Sequence, residues 1–534
     1  FAPSISAQQK EAISIRNDIV ILEDKIIEAN DLPTFFKNID IKNYPLADGF
    51  LKRDIEKIQL QFKNMSKLEL DYFSHFTSFI AREHKLAKTG YSGEDDNTGQ
   101  SALWLLNNKE KEAHFSILKN YKLIDDKSTK GDSILVFANS DSENQMANIR
   151  KGDIVLLYPA NKNNNFSIES QVFKSTVLSI NTGSIVLRLR SELFNKSIFN
   201  RIEYWNIEHD FLDSGFSKMH KNLFKFFEFD KDKRNLVLGI KEPGKPVNTN
   251  DKDLEEDLTI LQKSVVNSIL SSQDYYLLWG PPGTGKTSKI IRSVVNASYQ
   301  KGQQIMLLAY TNRAVDELCE AVESISEEMK NLYYRIGSKY SSGKDYAENL
   351  FDNKIKSIST RKKFQEFIDK IPIVVGTVSS IQGKEGLFSL KKFDTLIVDE
   401  ASQLLEPMLL SIIPYFNKFV LVGDHRQLPA VVKQKNTDSA VKSEELKEIG
   451  LTNLSNSLFE RLLQNAERKN WSWAIGMLQE QGRMHSDIMK LPNDLFYEGK
   501  LKTINSIHRL ENPLKLDHSK SEVQEVLASN RLIF

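Results

Sequence analysis

The residues best suited to chemistry lie in Gly280-Pro281-Pro282-Gly283-Thr284-Gly285-Lys286-Thr287. This run fits the phosphate-loop pattern G-x-x-x-x-G-K-T, with an apolar strand before it and a helical stretch, Ser288 to Ser298, after it. The glycines let backbone N–H groups turn inward around phosphate oxygens, and the helix N-terminus adds favourable potential. Lys286 would reach the β- and γ-phosphates of a nucleoside triphosphate, and the Thr287 hydroxyl would bind Mg²⁺. A second segment, Thr395-Leu-Ile-Val-Asp-Glu400, ends an apolar strand in two carboxylates. Asp399 would complete the Mg²⁺ site, and Glu400 would orient or deprotonate an attacking water. In Leu421-Val-Gly-Asp-His-Arg-Gln-Leu-Pro-Ala430, Gln427 could contact the γ-phosphate and report hydrolysis. In Gln481-Gly-Arg-Met-His485, Arg483 could act as an arginine finger that closes on the nucleotide when two lobes meet.

These residues need a scaffold that brings distant loops together. Candidate strands are Tyr275–Trp279, Ile305–Ala309, Ile373–Val375, Thr395–Val398 and Phe419–Val422, with helical stretches between them. Most are continuous apolar runs, as expected of strands buried on both faces of a parallel sheet. The expected fold class is α/β, a doubly wound parallel P-loop domain with an N-terminal helical region and a small β-barrel.

The expected organisation has five parts. Residues 1–100 form a helical region, because Ile15, Ile19, Leu22 and Ile26, and then Ile55, Ile58, Phe62 and Met65, recur at helical spacing. An antiparallel hairpin arm fits them, packed on a neighbouring domain or free-standing; Tyr91 to Gln100 reads as a loop. Residues 101–215 form a small barrel or meander, from short strands at Ile134–Phe137, Asp153–Leu157, Val172–Ile180 and Ser184–Leu189. Such a barrel either binds single strands or serves structure alone. Residues 216–257 form a linker and stalk-like segment, and the aromatics between Ile202 and Phe229 read as core rather than as a stacking surface. Residues 258–445 form the P-loop domain, with a helical insertion at about 327–370 whose basic residues make a solvated face. Residues 446–534 form the last part.

Composition narrows the rest. The 534 residues carry 72 basic and 71 acidic side chains with 40% hydrophobic content, which fits a globular chain rather than a disordered one. Apolar runs fall short of the ~18 residues needed to span a bilayer, so no membrane association is expected. One cysteine, Cys319, permits no intrachain disulfide and no four-cysteine metal site. It reads as packed, and a reducing, cytoplasmic setting fits. The nine histidines show no metal-ligand spacing. The chain begins with Phe1 rather than Met and is expected to be part of something longer.

The set GPPGTGKT, AYTNRAVD, VVGTVSS, VDEAS, GDHRQLPA and QGRMH, in that order, resembles superfamily 1 helicases. It is most similar to the branch containing the nonsense-mediated-decay helicase and the replication nuclease–helicase of Okazaki-fragment processing. The resemblance covers roughly Leu258 to Leu501, and it implies that 258–445 is a first RecA-like lobe and 446–534 the start of a second, truncated one. It implies ATP as the nucleotide, an adenine-reading role for Gln262, and backbone contacts to nucleic acid from Thr311, Asn312, Arg313, Thr377 and Ser379. It also implies 5′-to-3′ travel along a single strand and a β-rich module placed over that strand; DNA is slightly favoured over RNA as the expected track. A monomeric motor is expected, with protein partners reached through the N-terminal helices. Two departures stand out. Gly482 occupies a position where the family usually has tyrosine, which puts adenine stacking in doubt. The family's last two motifs, including its second arginine finger, do not appear after Arg483. The chain as it stands is therefore expected to bind ATP and hydrolyse it poorly. The alternative function is a nucleotide-gated clamp or scaffold without processive unwinding. A ring-forming assembly ATPase is the weakest reading, since the QLPA and QGRMH features argue against it.

Overall fold

The computed structural model describes residues 49–89, 111–112, 117–129, 132–139, 147, 149–160, 171–181, 183–190, 197–210, 214–247, 257–337, 346–382 and 384–504. The helix expected around Ile15 to Ile26, the loop at Tyr91–Gln100 and the segment after residue 504 lie outside these. The described residues fall into two compact units. One holds 74–219 and 432–438, and the other holds 49–73, 220–431 and 439–504.

Two helices open the described chain, α1 (Gly49–Asn64) and α2 (Lys67–Thr89). In the first unit, six antiparallel strands then close a barrel. They are β1 (Ile117–Asp126), β2 (Ile134–Ala138), β3 (Ile154–Pro159), β4 (Phe173–Asn181), β5 (Ser184–Leu189) and β6 (Trp205–His209). Their order is β1-β2-β5-β4-β3-β6, and β6 pairs back onto β1. Closure leaves no open sheet edge. Trp205 is fully buried at the centre, with Phe137, Phe173 and Phe199 around it. Sequence periodicity had indicated β2 to β5. It missed β1, where Lys119, Asn120 and Lys122 break the apolar pattern, and β6, a short strand inside the aromatic stretch. In the same unit the Glu83 carboxylate of α2 accepts the backbone N–H groups of Lys433 and Gln434 at 2.6–3.1 Å, and Arg82 Nε donates to Gln434 Oε1 at 2.6 Å. These bonds hold the strap 432–438 against the helix.

The segment expected to be linker and stalk contains α3 (Ser214–Phe226) and α4 (Lys231–Val237). In the second unit, Phe62 and Phe73 from the first two helices meet Phe224 and Phe227 edge to face. The aromatics here are packing material, as their density suggests.

The second unit is built on a seven-stranded parallel sheet. Its strands are β7 (Tyr275–Trp279), β8 (Ile305–Ala309), β9 (Tyr333–Ile336), β10 (Ile373–Thr377), β11 (Thr395–Val398), β12 (Lys418–Gly423) and β13 (Ile475–Met477), in the order β13-β7-β12-β11-β8-β10-β9. Helices α5 (Ile260–Ser271), α6 (Arg292–Gln300), α7 (Asn312–Glu323), α8 (Arg361–Lys370) and α9 (Leu458–Arg468) punctuate it. A further helix, α10 (Ser486–Phe496), follows, and two short strands, β14 (Glu480–Gln481) and β15 (Lys502–Thr503), pair in parallel. Residues of β7, β8, β10, β11 and β12 are almost all buried, which is why they read as unbroken apolar runs.

Two strands depart from expectation. β9 lies inside the stretch expected to be a helical insertion. Its run Tyr-Tyr-Arg-Ile is interrupted by Arg335, which is fully buried and paired with Asp316 of α7. β13 lies beyond residue 446, where a second lobe was expected to begin, yet it pairs with β7 at Ile475↔Leu277 and Met477↔Trp279. At three residues it is too short to show a period, and its place is set by its pairing with β7.

Candidate nucleotide-binding site

In a parallel sheet every loop that follows a strand emerges at the same edge, where ligands bind. The phosphate-loop run follows β7, Asp399 and Glu400 follow β11, and Gln427 follows β12. These three strands are neighbours. Two glycines show why the loop needs them. A Cβ on Gly280 would lie 2.3 Å from Cγ and Cδ of Lys286, so the lysine stem passes directly over it. Gly283 sits at φ +74, and a Cβ there would lie 2.4 Å from Cβ of Arg483. The loop then enters a helix through a wide turn, in which the N–H groups of both Lys289 and Ile290 donate to the Gly285 carbonyl, at 3.0 and 3.1 Å. Pro281 and Thr284 are buried, and the Thr284 hydroxyl donates to the Pro281 carbonyl at 2.7 Å.

The acidic pair faces this loop. The Thr287 hydroxyl donates to Asp399 Oδ2 at 2.6 Å, and Lys286 Nζ lies 3.7 Å from Glu400 Oε1. Asp399 is buried, and its Oδ1 accepts the Glu400 N–H at 2.9 Å. Burial, and then the charge of Glu400, push the Asp399 carboxyl up to about 6, against the Thr287 hydroxyl and Lys286. Glu400 is held in the left-handed region at φ 51, uncommon for a residue with a side chain. Such backbone outliers cluster at functional sites. Among the described residues there is no group of three or more His, Cys, Asp or Glu side chains that could hold a metal. One hydroxyl and one carboxylate in contact suit a hard cation that keeps waters and takes its remaining oxygens from phosphates, as Mg²⁺ does.

Arg483 reaches the site through its backbone. The Gly482 N–H donates to the Gly283 carbonyl at 2.8 Å. The fully buried Gln481 shapes the turn: its Oε1 accepts from the N–H groups of Arg483 and Met484 at 2.9 and 2.7 Å, and its Nε2 donates to the Met484 carbonyl at 2.8 Å. The Arg483 side chain is exposed. Gln427, also exposed, donates through Nε2 to Asp424 Oδ2 at 2.7 Å.

Gln262 is buried and engaged by its own fold. Its Oε1 accepts the Thr259 N–H at 3.1 Å in a capping box, and its Nε2 donates to the Thr284 carbonyl at 3.2 Å. The signal for this was present as Thr259-x-x-Gln262 ahead of an apolar run. The same threonine's hydroxyl donates to Glu480 Oε2 at 2.5 Å.

The residues expected to touch nucleic acid stand after β8 and β10, which are themselves neighbours. Thr311 caps α7 by accepting the Ala314 N–H at 3.2 Å, and Thr377 caps the next helical turn by accepting the Ser380 N–H at 3.1 Å. Asn312 is half-buried and Ser379 is exposed. The Arg313 side chain is 91% exposed, with Nε 3.5 Å from Glu317. Cys319 is buried, and burial pushes its thiol up to about 12, which makes it inert packing. Sequence reasoning passed over Asp424 and Gln481, because their importance lies in what they bind inside the fold.

Family models described as AAA domain match residues 257–363 with 339–435, and 454–530. The DNA replication ATP-dependent helicase/nuclease DNA2 of Xenopus laevis is 35% identical over 268 residues, half of this chain and 23% of that protein. The protein of the same name from Bos taurus is 28% identical over 479 residues, 85% of this chain and 41% of that protein. The chain belongs to the superfamily 1 helicases. It falls in the branch that holds these DNA2 proteins, and spans less than half the length of each of the two. A solved arterivirus helicase bound to DNA covers 70% of the chain at 12% identity and a TM-score of 0.31, too low a likeness to bear on the fold. Among the described residues no helix is long and apolar enough to cross a membrane.

Proposed function

We propose that this chain carries the ATP-driven motor of a helicase or translocase on single-stranded nucleic acid, travelling 5′ to 3′ with DNA slightly favoured as its track. The observation that carries this reading is the convergence of Lys286, Thr287, Asp399 and Glu400 beside a loop on which the Arg483 turn is seated. The names of the DNA2 relatives favour DNA, and the family resemblance supplies the direction. Lys286 and the loop N–H groups hold the phosphates, and Thr287 and Asp399 hold Mg²⁺. The cation, when bound, neutralises charge on the phosphate oxygens. Glu400 orients a water and takes its proton. Gln427 and Arg483 sense and stabilise the transferring phosphoryl group. A monomer in a reducing, cytoplasmic setting, with protein partners at the N-terminal helices, completes the reading.

The test is phosphate release by the native-length protein with single-stranded DNA and RNA side by side. Lys286→Ala is expected to lower turnover by at least about 10²-fold. Glu400→Gln is expected to lower kcat by about 10²–10⁴-fold while leaving nucleotide affinity in place, as loss of a general base does. Turnover that neither nucleic acid stimulates would favour a nucleotide-gated clamp.

A further inference from the structure

The most heavily engaged carboxylate near the site is not one of those that would hold the cation or the water. Asp424 is 1% exposed, and four neutral donors converge on it. Oδ1 accepts from Trp279 Nε1 at 2.9 Å and from the Arg426 N–H at 3.0 Å. Oδ2 accepts from Gln427 Nε2 at 2.7 Å and from the Tyr497 hydroxyl at 2.8 Å. Its own N–H donates to Ser402 Oγ at 3.2 Å. The donors come from three parts of the machinery. Trp279 ends β7 and precedes Gly280. Gln427 stands on the loop after β12. Tyr497 follows α10, the helix that begins just beyond the Arg483 turn. The Tyr497 ring also lies 6.1 Å from that of Trp279.

We infer that Tyr497 is a positioning residue for Gln427, acting through the shared oxygen of Asp424. The inference rests on the ATPase reading above. A carboxylate oxygen offers two good acceptor directions, and here one is taken by each side chain. While the tyrosine hydroxyl shares the charge of Oδ2, the Gln427 amide is held with part of that oxygen's strength. Remove the hydroxyl, and the amide becomes the sole side-chain donor on an anionic oxygen, a stronger bond. Gln427 is then retained on Asp424 and withdrawn from a γ-phosphate. Movement of α10 and its terminal tyrosine has the same effect by displacement. The helix that leaves the Arg483 turn thereby reports its position to the residue that reads the γ-phosphate. Burial and the charge of Asp424 raise the Tyr497 hydroxyl well above its ordinary value, so it remains a donor across the working pH range.

The test is nucleotide affinity, measured on the full chain by equilibrium titration of ADP and of a non-hydrolysable ATP analogue. Tyr497→Phe keeps the ring and removes only the hydroxyl. The expected result is a fall of about three- to tenfold in the preference for triphosphate over diphosphate, the size of one hydrogen bond. ADP affinity should stay within about twofold. In a Gln427→Ala background the same tyrosine change should move nothing. An unchanged preference in the single variant, an equal loss for both nucleotides, or an undiminished effect without Gln427 would each overturn the inference. Lys286→Ala serves as the separate control. If it binds both nucleotides as the parent does, the ATP-site reading itself has failed, and the inference fails with it.

Discussion

At the scale of single residues, Gly283 is constrained both by its backbone and by its neighbour. It stands at φ +74, and a Cβ there would lie 2.4 Å from Cβ and 3.0 Å from the backbone N of Arg483. A side chain strains the backbone there, and it also meets main chain that cannot swing aside. Gly283→Ala is therefore expected to displace the Arg483 turn, break the Gly482 bond to the Gly283 carbonyl, and lower nucleotide affinity by about tenfold or more. Because the strain is local, stability should fall by only about 1–2 kcal/mol. Comparing an ADP titration with a thermal melt checks this; a large loss of stability with normal affinity would refute it. The phosphate-loop pattern makes this glycine visible in sequence, because its chemistry depends on a short run of adjacent residues. Asp424 is different. Its four donors come from residues 279, 426, 427 and 497, and no local pattern announces that they converge.

At the scale of elements, the second unit is tied together by one buried ion pair. Arg461 of α9 and Glu406 are both fully buried and meet through two bonds, 2.8 Å from Nε and 2.6 Å from Nη2. The remaining arginine donors reach the carbonyls of Val237, Leu238 and Ile449 at 2.8–3.1 Å. The Tyr72 hydroxyl of α2 donates to the same glutamate at 2.5 Å. Three helices and the loop after β11 thus share one polar knot. Arg461→Ala would leave a buried carboxylate paired only with a tyrosine, and is expected to cost about 3–5 kcal/mol in urea unfolding. Replacing Arg461 and Glu406 together by leucine should cost much less, since no charge is then stranded. A double variant as unstable as the single one would show that packing, not the stranded charge, sets the cost. The same physics explains which strands were legible. β7, β8 and β11 are apolar because both faces are covered, so they show in sequence. β9 carries Arg335 at its centre, a charge that is tolerable only because Asp316 lies across from it in the folded unit. Pairing of that kind is a property of three dimensions, and it hides the strand.

At the scale of the whole molecule, strand order decides which functions can be coupled. The nucleotide loops follow β7, β12 and β11, and the next two strands, β8 and β10, carry Thr311, Arg313, Thr377 and Ser379 at the same edge. β8 pairs directly with β11 along Ile305–Leu308 and Thr395–Val398, so a load on the loop after β8 is one strand away from Asp399. The backbone N–H of Asp399 in fact donates to the Leu308 carbonyl at 2.8 Å. Arg313 is the residue to test, because its side chain is 91% exposed and its contact with Glu317, at 3.5 Å, is an exposed pair of little strength. A cation so placed is suited to a phosphate, and a phosphate contact carries no base information. Arg313→Ala is accordingly expected to weaken single-strand binding by a similar factor on every sequence. It should also reduce the slope of log affinity against log salt by about 0.7, the value for one phosphate on a single strand. ADP affinity without nucleic acid should stay within about twofold, since the side chain lies off the nucleotide loops. Binding measured at several salt concentrations on homopolymers of different base decides the matter. A loss confined to one base would mean that Arg313 reads bases, and an unchanged slope would mean that the strand does not pass over the end of β8.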